Sequence, residues 1–425
     1  MSHPAADSAG RARFWSAFGP GLLWAASAIG VSHLVQSTRA GAVAGFGLAS
    51  VILLAVILKY PFFEYGPRFA AATGTSLIEG YARVGRWALW LYLVITLLTA
   101  GVIQSAVVMF TAVLVGFAFG LDWPVAVIGS LVMVGCGVLL WRGRFPALDW
   151  SIKIILLLLA ISTVFAAVVS LPRADFSTLA QSPFSLVGGV VPFAFLLALV
   201  GWMPTAIDVA AWSSLWTLAK NEASGQSVSV ETARKDFLVG YLGTAALAFT
   251  FLVLGVGVMY GSGETFAEAG PTFSTQLVDL YSATLGAWTR PIVLVAVVTT
   301  MLSTSLTVMD GAPRTLERTL HVLRHGVDRP APSTGPVYWW ALVVLTMLTA
   351  VVLVLFVGNL TAMVDFATTV SFLTGPVLGY LTLRVVTSEQ MPLQHRPGAA
   401  MRLLSWVGLV LLGGTGLFYL AGIAG

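Results

Sequence analysis

The sequence predicts an all-α integral membrane protein with about 11 transmembrane helices. Of its 425 residues, 58% are hydrophobic and only 9% are charged, whereas soluble domains carry about 25% charged residues. Apolar windows long enough to cross a bilayer recur along the chain, and basic residues collect between alternate windows. Composition therefore excludes a soluble globular domain.

The apolar windows are separated by clusters of charged, Gly and Pro residues. A helix needs about 20 apolar residues to cross the hydrocarbon core, and several windows exceed that length. The predicted helices, numbered 1 to 11, cover residues 15–38, 45–70, 87–119, 122–142, 151–171, 186–218, 236–260, 288–312, 337–358, 362–385 and 401–424.

The distribution of basic residues predicts the orientation. With a cytoplasmic N-terminus, most of the 22 lysines and arginines fall on inner loops, and only Arg39, Arg173 and Arg290 lie outside. Lys and Arg accumulate on cytoplasmic loops. We therefore predict a multi-pass protein of the cell membrane with a cytoplasmic tail over residues 1–14 and the C-terminus outside. The net charge of +4 needs no nucleic-acid partner.

Two predicted helices contain residues that oppose a continuous helix. Helix 1 carries AIGVSHLVQ, Ala28 to Gln36, and helix 6 carries VGWMPTAID, Val200 to Asp208. Gly and Pro both destabilise helix interiors. Aligning Gly30 with Gly201 turns helices 1–5 and 6–10 into two repeats, so residues 15–425 form one domain with an inverted five-plus-five repeat. The repeats cover 15–171 and 186–385, and the helix at 401–424 is extra.

Broken helices of this kind have a function in membranes. Freed backbone groups are tolerated at this depth only inside protein or beside a wet cavity, and secondary transporters bind substrate at such breaks. We therefore predict a substrate site near the middle of the membrane, made of Ile29, Gly30, Ser32, His33, Val200, Gly201, Met203 and Thr205. The alternative is a helix kinked at Gly30, with Ser32 bonded to its own backbone and His33 to a neighbouring helix.

Four stretches resemble the Nramp (natural resistance-associated macrophage protein) family of divalent-metal transporters. They are GPGLLWAASAIGVSHLVQSTRAG, RFAAATG, VGWMPTAIDVAAWSSL and STSLTVMDGAPRTL, and together they span most of the chain. The resemblance implies a LeuT-type fold and a secondary-active transporter of Mn- or Fe-type ions. It also implies alternating access around a site between helices 1 and 6.

The chain departs from that family at the metal site. Where the family has Asp-Pro-Gly-Asn in helix 1, this chain has Gly30-Val31-Ser32-His33, and where it has Met-Pro-His-Asn in helix 6, this chain has Met203-Pro204-Thr205-Ala206. The acidic residues of the family's helix 3 have no counterpart between Thr96 and Val108. The chain resembles a divergent, Nramp-related branch.

Metal ligands remain available at the breaks. An imidazole from His33 and a thioether from Met203 suit a borderline transition ion, and Asp208 would supply the negative charge that a desolvated dication requires. The alternative substrate is a small organic solute such as an amino acid, carried by a LeuT-fold symporter. Aromatic residues crowd the breaks and favour that alternative: Trp24, Phe193, Trp202, Trp212 and Trp216.

Residues that couple transport to the movement of a second ion are expected among the polar residues inside the predicted membrane helices. Ionisable residues in membrane segments suggest function, which singles out Lys59 and Glu64, and Gln104 is the longest polar side chain of helix 3. Thr304 and Ser305 of helix 8 are candidate sodium ligands by the resemblance, although back-bonding within the helix is the commoner use of such hydroxyls.

An enzyme is not expected. Intramembrane hydrolases need an acid pair or a Ser/His pair on facing helices, and Ser32 and His33 are adjacent in sequence instead. We predict no cofactor. The expected partners are the transported ion or solute and the lipid bilayer, and the oligomeric state is left open.

Overall fold

A computed structural model describes residues 19–142, 145–263, 266–329, 334–355 and 359–424. The predicted tail over 1–14 lies outside these residues. Within them the protein is helical, and the β structure is an isolated bridge between Val187 and Val191. The predicted all-α membrane class is confirmed.

The first half of the chain starts with a short helix and a π-helical segment, Ser32–Ser37. Its α-helices are α1 Pro20–Ala28, α2 Thr38–Ala44, α3 Ala49–Thr73, α4 Leu77–Val84, α5 Arg86–Phe119, α6 Val125–Trp141, α7 Phe145–Ser170 and α8 Pro183–Leu186.

The second half repeats the pattern of a short helix followed by longer ones. Its helices are α9 Phe193–Gly201, α10 Val209–Ser224, α11 Val230–Val258, α12 Gly270–Leu285, α13 Arg290–His325, α14 Pro336–Leu355, α15 Leu360–Thr387 and α16 Ala399–Ala424.

Each predicted apolar window contains helix. Among the described residues, seven helical stretches are long and apolar enough to cross a membrane, and two shorter apolar helices cover Val125–Trp141 and Leu157–Arg173. One of the seven, Ser32–Thr73, contains the end of the first predicted window and all of the second, and the chain turns between them at Gly45, whose φ is 57°. The number of crossings and the inverted repeat stay predictions.

Among the helices that lie wholly or almost wholly outside the predicted apolar windows, α4 and α12 are the two longest. Helix α4 begins with a capping box, in which the Ser76 hydroxyl accepts from the backbone and the Glu79 side chain reaches back to the Ser76 N–H at 3.0 Å. Helix α12 buries one side and exposes polar residues on the other, and α4 is only eight residues long, so neither gives the long apolar run that predicts a membrane span.

Both predicted helix interruptions are present. Helix α1 ends at Ala28, Ile29 and Gly30 are not helical, and the chain becomes helical again from Val31. The second interruption covers residues 202–208, so Gly201 is still the last residue of α9. Glycine at position 30 also lets α13 approach the first break, because a Cβ there would lie 2.9 Å from the Thr304 hydroxyl oxygen.

Glycines let α11 approach the first broken helix closely. A Cβ on Gly21 would lie 2.2 Å from the Asp236 carbonyl oxygen, and one on Gly240 would lie 2.3 Å from the Gly21 carbonyl oxygen. Small residues of this kind allow backbones of membrane helices to pack together. The first broken helix is therefore held against α11, and its interruption faces α13 and the second break.

Candidate substrate site between the two helix breaks

A small cavity lies between the two interruptions. Its volume is about 20 Å³, enough for about one water molecule. The residues on either side of the first break contribute Ser27, Ala28, Val31 and Ser32, the second break and the start of α10 contribute Trp202, Thr205, Ala206, Val209 and Trp212, and α5 and α13 contribute Ile103, Val107, Thr304 and Val308. We call this space the break cavity.

Ser32 and His33 are occupied by protein partners. The Ser32 hydroxyl lies 2.6 Å from the Ala28 carbonyl oxygen and 2.7 Å from Nδ1 of His33. Nε2 of His33 lies 2.9 Å from the Thr244 carbonyl oxygen, so this nitrogen carries the proton and donates. His33 is fully buried and does not line the break cavity. These contacts match the kinked-helix alternative, and substrate contact at His33 stays a prediction.

The second break presents carbonyl oxygens to Lys59 of α3. The ammonium donates to the carbonyls of Val200, Gly201 and Thr205 at 3.0, 2.9 and 2.7 Å. Lys59 is only 2% exposed. A buried ammonium needs such partners, since an unpaired charge is costly in a low-dielectric interior. Its part in coupling stays a prediction.

Asp208 lies at the end of the second break. Its Oδ1 accepts a hydrogen bond of 2.8 Å from the Thr99 hydroxyl of α5. Its Oδ2 is buried, and no group among the described residues donates to it. Met203 is fully buried and precedes a cis peptide bond to Pro204, and it does not line the break cavity. Within the described residues, no cluster of three or more His, Cys, Asp or Glu has metal-binding geometry.

The two candidate coupling residues of α13, Thr304 and Ser305, point toward different neighbours. The Thr304 hydroxyl reaches the first break, 3.1 Å from the carbonyl oxygens of both Ala26 and Ile29. Ser305 faces α5 instead, where its hydroxyl lies 2.8 Å from that of Thr111. Thr304 is thus at the break and Ser305 is not.

Gln104 and Glu64 both lie away from the cavity. Gln104 donates to the Ser305 carbonyl oxygen at 3.3 Å, next to α13. Glu64 is buried and pairs with Arg68 one turn on, at 2.7 Å, and with Arg234 of α11 at 2.7 Å. The Glu64 cluster therefore joins α3 to α11.

Some residues around the site were missed by sequence reasoning. Thr99 donates a hydrogen bond to Asp208, but a threonine in an apolar helix cannot be recognised from the sequence as a site residue. Asp365 does give one, since it is an ionisable residue inside a predicted membrane segment. It binds Arg39 and Gln36 of the first broken helix. Trp202 donates to Ser371 of α15 at 2.8 Å, which fixes its ring over the cavity.

Comparison with known proteins decides the family. Residues 21–421 match the family described as natural resistance-associated macrophage protein-like. The chain belongs to the Nramp family. By this membership it is a multi-pass membrane transporter of metal ions, and it is not an enzyme. An uncharacterised protein of Pasteurella multocida (strain Pm70) is 33% identical over 418 residues, covering 97% of this chain and 93% of the relative.

Solved structures share the Nramp and LeuT-like fold. The manganese transporter of Eremococcus coleocola, in complex with an aromatic bis-isothiourea compound, superposes with a TM-score of 0.73 at 15% identity, over 98% of this chain and 87% of that one. MhsT in complex with L-phenylalanine gives a TM-score of 0.65 at 12% identity, over 94% and 96% of the two chains. At these identities the likeness concerns the fold.

Proposed function

We propose that the protein carries a divalent metal ion with a preference for oxygen ligands, Mn²⁺ first, by alternating access around the break cavity. The volume of that cavity, about 20 Å³, carries the proposal. Sites for organic ligands measure about 300 to 1,000 Å³. A bare metal ion fits the space, whereas an amino acid does not fit without wide separation of the helices.

The donors around the cavity support an oxygen-liganded ion. Three of the residues that line it, Ser27, Ser32 and Thr205, carry hydroxyl groups, and oxygen ligands suit Mn²⁺ or Mg²⁺ better than a soft ion. Asp208, the last residue of the second break, supplies negative charge; like His33 and Met203 it does not line the cavity, so its carboxylate must turn toward the ion. Its unpartnered Oδ2 is the carboxylate oxygen that we assign to the ion.

In this proposal, His33 and Met203 bind the ion only at a later step of the transport cycle. For His33 to bind the ion, its bond to the Thr244 carbonyl must break, and Met203 must turn toward the cavity. We expect such movements only when the first broken helix tilts during the transport cycle. In the occluded form the ion would be held by oxygen atoms.

The path to the predicted cytoplasmic side supports alternating access. A second cavity of about 410 Å³ lies along α1 and α10, lined among others by Gly19, Leu23, Trp216 and Lys220. Trp212 lines the break cavity, and its ring packs edge-to-face with that of Trp216 at 6.2 Å. We propose that these two tryptophans form the inner closure, in a domain of two inverted repeats, 15–171 and 186–385, with the N-terminus cytoplasmic and the C-terminus outside the cell membrane.

Calorimetric titration of the purified protein tests the proposal. We expect Mn²⁺ to bind, Mg²⁺ to compete, and an Asp208→Asn variant to bind at least tenfold more weakly. The matched control is Asp279→Asn, since Asp279 forms an exposed pair with Arg290 and neither residue lines the cavity. The variants His33→Ala and Met203→Ala show whether oxygen atoms alone bind the ion or whether the imidazole and the thioether bind it as well. Absence of heat with every metal, together with binding of a small amino acid, would contradict the proposal.

A further inference from the structure

The last turns of α13 extend beyond the length that a bilayer requires. Helix α13 has 36 residues, Arg290–His325, whereas about 20 residues cross the hydrocarbon core. It ends on the side that the sequence predicts to be cytoplasmic, and its last two turns carry His321 and His325. His321 is half-buried and His325 is exposed. Both imidazoles therefore lie beyond the apolar core of the membrane, where ions from water can reach them.

The two histidines form a pair on one face of the helix. Side chains four residues apart on a helix are neighbours, and the two ring centroids lie 4.6 Å apart with the ring planes at 35°. Two histidines at this spacing on one helix face are an arrangement that binds Zn²⁺. An ion at about 2.0–2.1 Å from each nitrogen spans two nitrogens that are up to about 4 Å apart. Small side-chain rotations therefore bring both rings onto one ion.

Each ring has an Nε2 atom that suits metal binding. Nδ1 of His325 lies 3.2 Å from the His321 carbonyl oxygen, so Nδ1 carries the proton and Nε2 has the free lone pair. Histidines that bind metals commonly donate their other ring N–H to a backbone carbonyl in this way. Nε2 of His321 is buried, and no group among the described residues bonds to it. Buried polar atoms normally have a partner, and a metal ion would provide one.

The charges around the pair allow a cation. A helix C-terminus carries a partial negative charge, and α13 ends at His325. The Glu317 carboxylate, one turn before His321, accepts from the Tyr338 backbone N–H at 2.8 Å, so we do not assign it as a ligand. Arg324 is exposed, and water and salt screen the charge of its guanidinium.

We propose that His321 and His325 form a second metal site, which binds a borderline transition dication such as Zn²⁺, Co²⁺ or Ni²⁺ through both Nε2 atoms. Water molecules complete the coordination. Imidazole suits these ions, and the affinity of a nitrogen site rises from Mn²⁺ through Co²⁺ to Ni²⁺. The pair therefore selects against Mn²⁺, the ion that we propose as the cargo, and responds to other transition ions on the predicted cytoplasmic side.

This site is separate from the break cavity. Thr304 and Val308 of α13 line that cavity, and His321 lies roughly 20 Å further along the same helix, at about 1.5 Å per residue. One ion cannot take ligands from both sites. Residues 327–329, directly after the pair, line an inner cavity of about 560 Å³. An ion bound to both rings would hold the last turn of α13 helical, directly beside this inner cavity.

Calorimetric titration with Zn²⁺ tests the second site. Zn²⁺ is added to the purified full-length protein, free of any polyhistidine tag, with Mn²⁺ in excess so that sites preferring Mn²⁺ are already occupied. The variants are His321→Ala, His325→Ala and the double variant. The matched control is His395→Ala, since His395 belongs to the separate turn Leu393–His395. Thermal unfolding without Zn²⁺ checks the fold of each variant, and His321→Gln replaces His321→Ala if that variant is unstable.

We expect the wild type and His395→Ala to bind one Zn²⁺ at the pair. Each single variant should bind it at least about tenfold more weakly, because the second nitrogen binds within the same molecule. The double variant should lose little more, since either substitution already destroys the chelate. Zn²⁺ should raise the unfolding midpoint of the wild type and His395→Ala more than that of the pair variants. In separate titrations, Mn²⁺ should bind equally to all of them.

Equal Zn²⁺ affinity in the wild type and both single variants overturns this inference, and the two rings are then only a packing contact. Loss of affinity in only one single variant also overturns it, since such a site needs one imidazole and not the pair. Weaker Mn²⁺ binding in the pair variants would show that the two sites are not separate. If Mn²⁺ does not bind to the wild type, the proposed function falls, whereas the Zn²⁺ result still decides the second site.

Discussion

Arg39 and Asp365 join the second half of the first broken helix to α15. The guanidinium donates to both carboxylate oxygens, at 2.8 and 3.3 Å, and the carboxylate also accepts from Gln36 at 2.9 Å. The Arg39 guanidinium lies 4.7 Å from the ring centroid of Phe195, which belongs to α9. One arginine thus connects both broken helices with α15, on the side of the membrane that the sequence predicts to be the outside.

This ion pair should stabilise the form of the transporter in which the break cavity is closed toward the outside. Its side chains are 17% and 31% exposed, and partly exposed pairs contribute about 0.2–1 kcal/mol, so loss of the pair should raise the open population by up to about fivefold. We expect Arg39→Gln to fold normally and to increase the labelling rate of a Val31→Cys probe, in a Cys136→Ser background, by a membrane-impermeant thiol reagent.

Arg290→Gln serves as the control for Arg39→Gln, since it removes an outer arginine from an exposed pair with Asp279. Its labelling rate should equal that of the wild type. Exchange of the charges, Arg39→Asp with Asp365→Arg, should restore slow labelling. If Arg39→Gln labels no faster than Arg290→Gln, the pair has no part in outer closure.

The close approach of α1 and α11 predicts a large effect from one added methyl group. In Gly240→Ala the new Cβ would lie 2.3 Å from the Gly21 carbonyl oxygen, so the two backbones must separate. Overpacking of this kind costs about 1–3 kcal/mol. Gly243→Ala on the same helix is the control, because nothing lies within 4 Å of its added Cβ.

Thermal unfolding in detergent should show a clearly lowered midpoint for Gly240→Ala and an unchanged or raised one for Gly243→Ala. The second result is expected because alanine favours helix over glycine by about 1 kcal/mol. Equal midpoints in the two variants would mean that the contact between α1 and α11 is not tight in the membrane protein.

The sequence predicts the parts of this structure that depend on local chemistry. Hydropathy predicts the long helices, and the residues that oppose helix, Gly30 and Pro204, locate both interruptions. Lys59 stands out in the same way, as a charged residue within an apolar window, and its ammonium is buried among three main-chain carbonyls. These features require only a few neighbouring residues to be recognised.

Partners that are distant in sequence could not be predicted in the same way. Thr99 and Asp208 are 109 residues apart, and Arg39 and Asp365 are 326 residues apart. Which of many hydroxyls or charges meets which depends on helix rotation and tilt, and these are set by packing. The same holds for His33, because the Thr244 carbonyl that it binds belongs to α11, 211 residues away.

A buried carboxylate near the second cavity should contribute strongly to stability. Asp310 accepts hydrogen bonds from Arg314 at 2.6 and 3.0 Å, from Trp216 at 3.1 Å and from Tyr338 at 2.9 Å. In Asp310→Asn the largely buried Arg314 loses this charged partner, and breaking such a pair costs about 3–5 kcal/mol. Asp279→Asn, in an exposed pair, should change stability by less than about 1 kcal/mol.

Chemical unfolding in detergent measures both changes. We expect Asp310→Asn to lower the unfolding midpoint well below that of Asp279→Asn. The amide oxygen introduced by Asp310→Asn can still accept a hydrogen bond from Trp216 or Tyr338, so the loss should reflect the charge of Arg314 above all. A difference of less than about 1 kcal/mol between the two variants would place this network among weak surface pairs.

The last prediction concerns the hydroxyl that connects α13 to the first break. Thr304 Oγ1 lies 3.1 Å from the carbonyl oxygens of Ala26, in the last turn of α1, and of Ile29, where the backbone has left the helix. Thr304→Val keeps the shape of the side chain and removes the donor, and leaving a buried acceptor unsatisfied costs about 1–3 kcal/mol.

Thr299→Val on the same helix provides the control. The Thr299 hydroxyl only bonds back to the Val295 carbonyl oxygen at 2.7 Å, so its loss should change the free energy of unfolding little. Thr304→Ser should keep most of the wild-type stability, since it retains the hydroxyl. Thermal unfolding should therefore give the order wild type, Thr304→Ser, Thr304→Val, with Thr299→Val close to the wild type. If Thr304→Val is as stable as Thr299→Val, other donors satisfy the carbonyls of the first break, and the hydroxyl does not hold α13 to it.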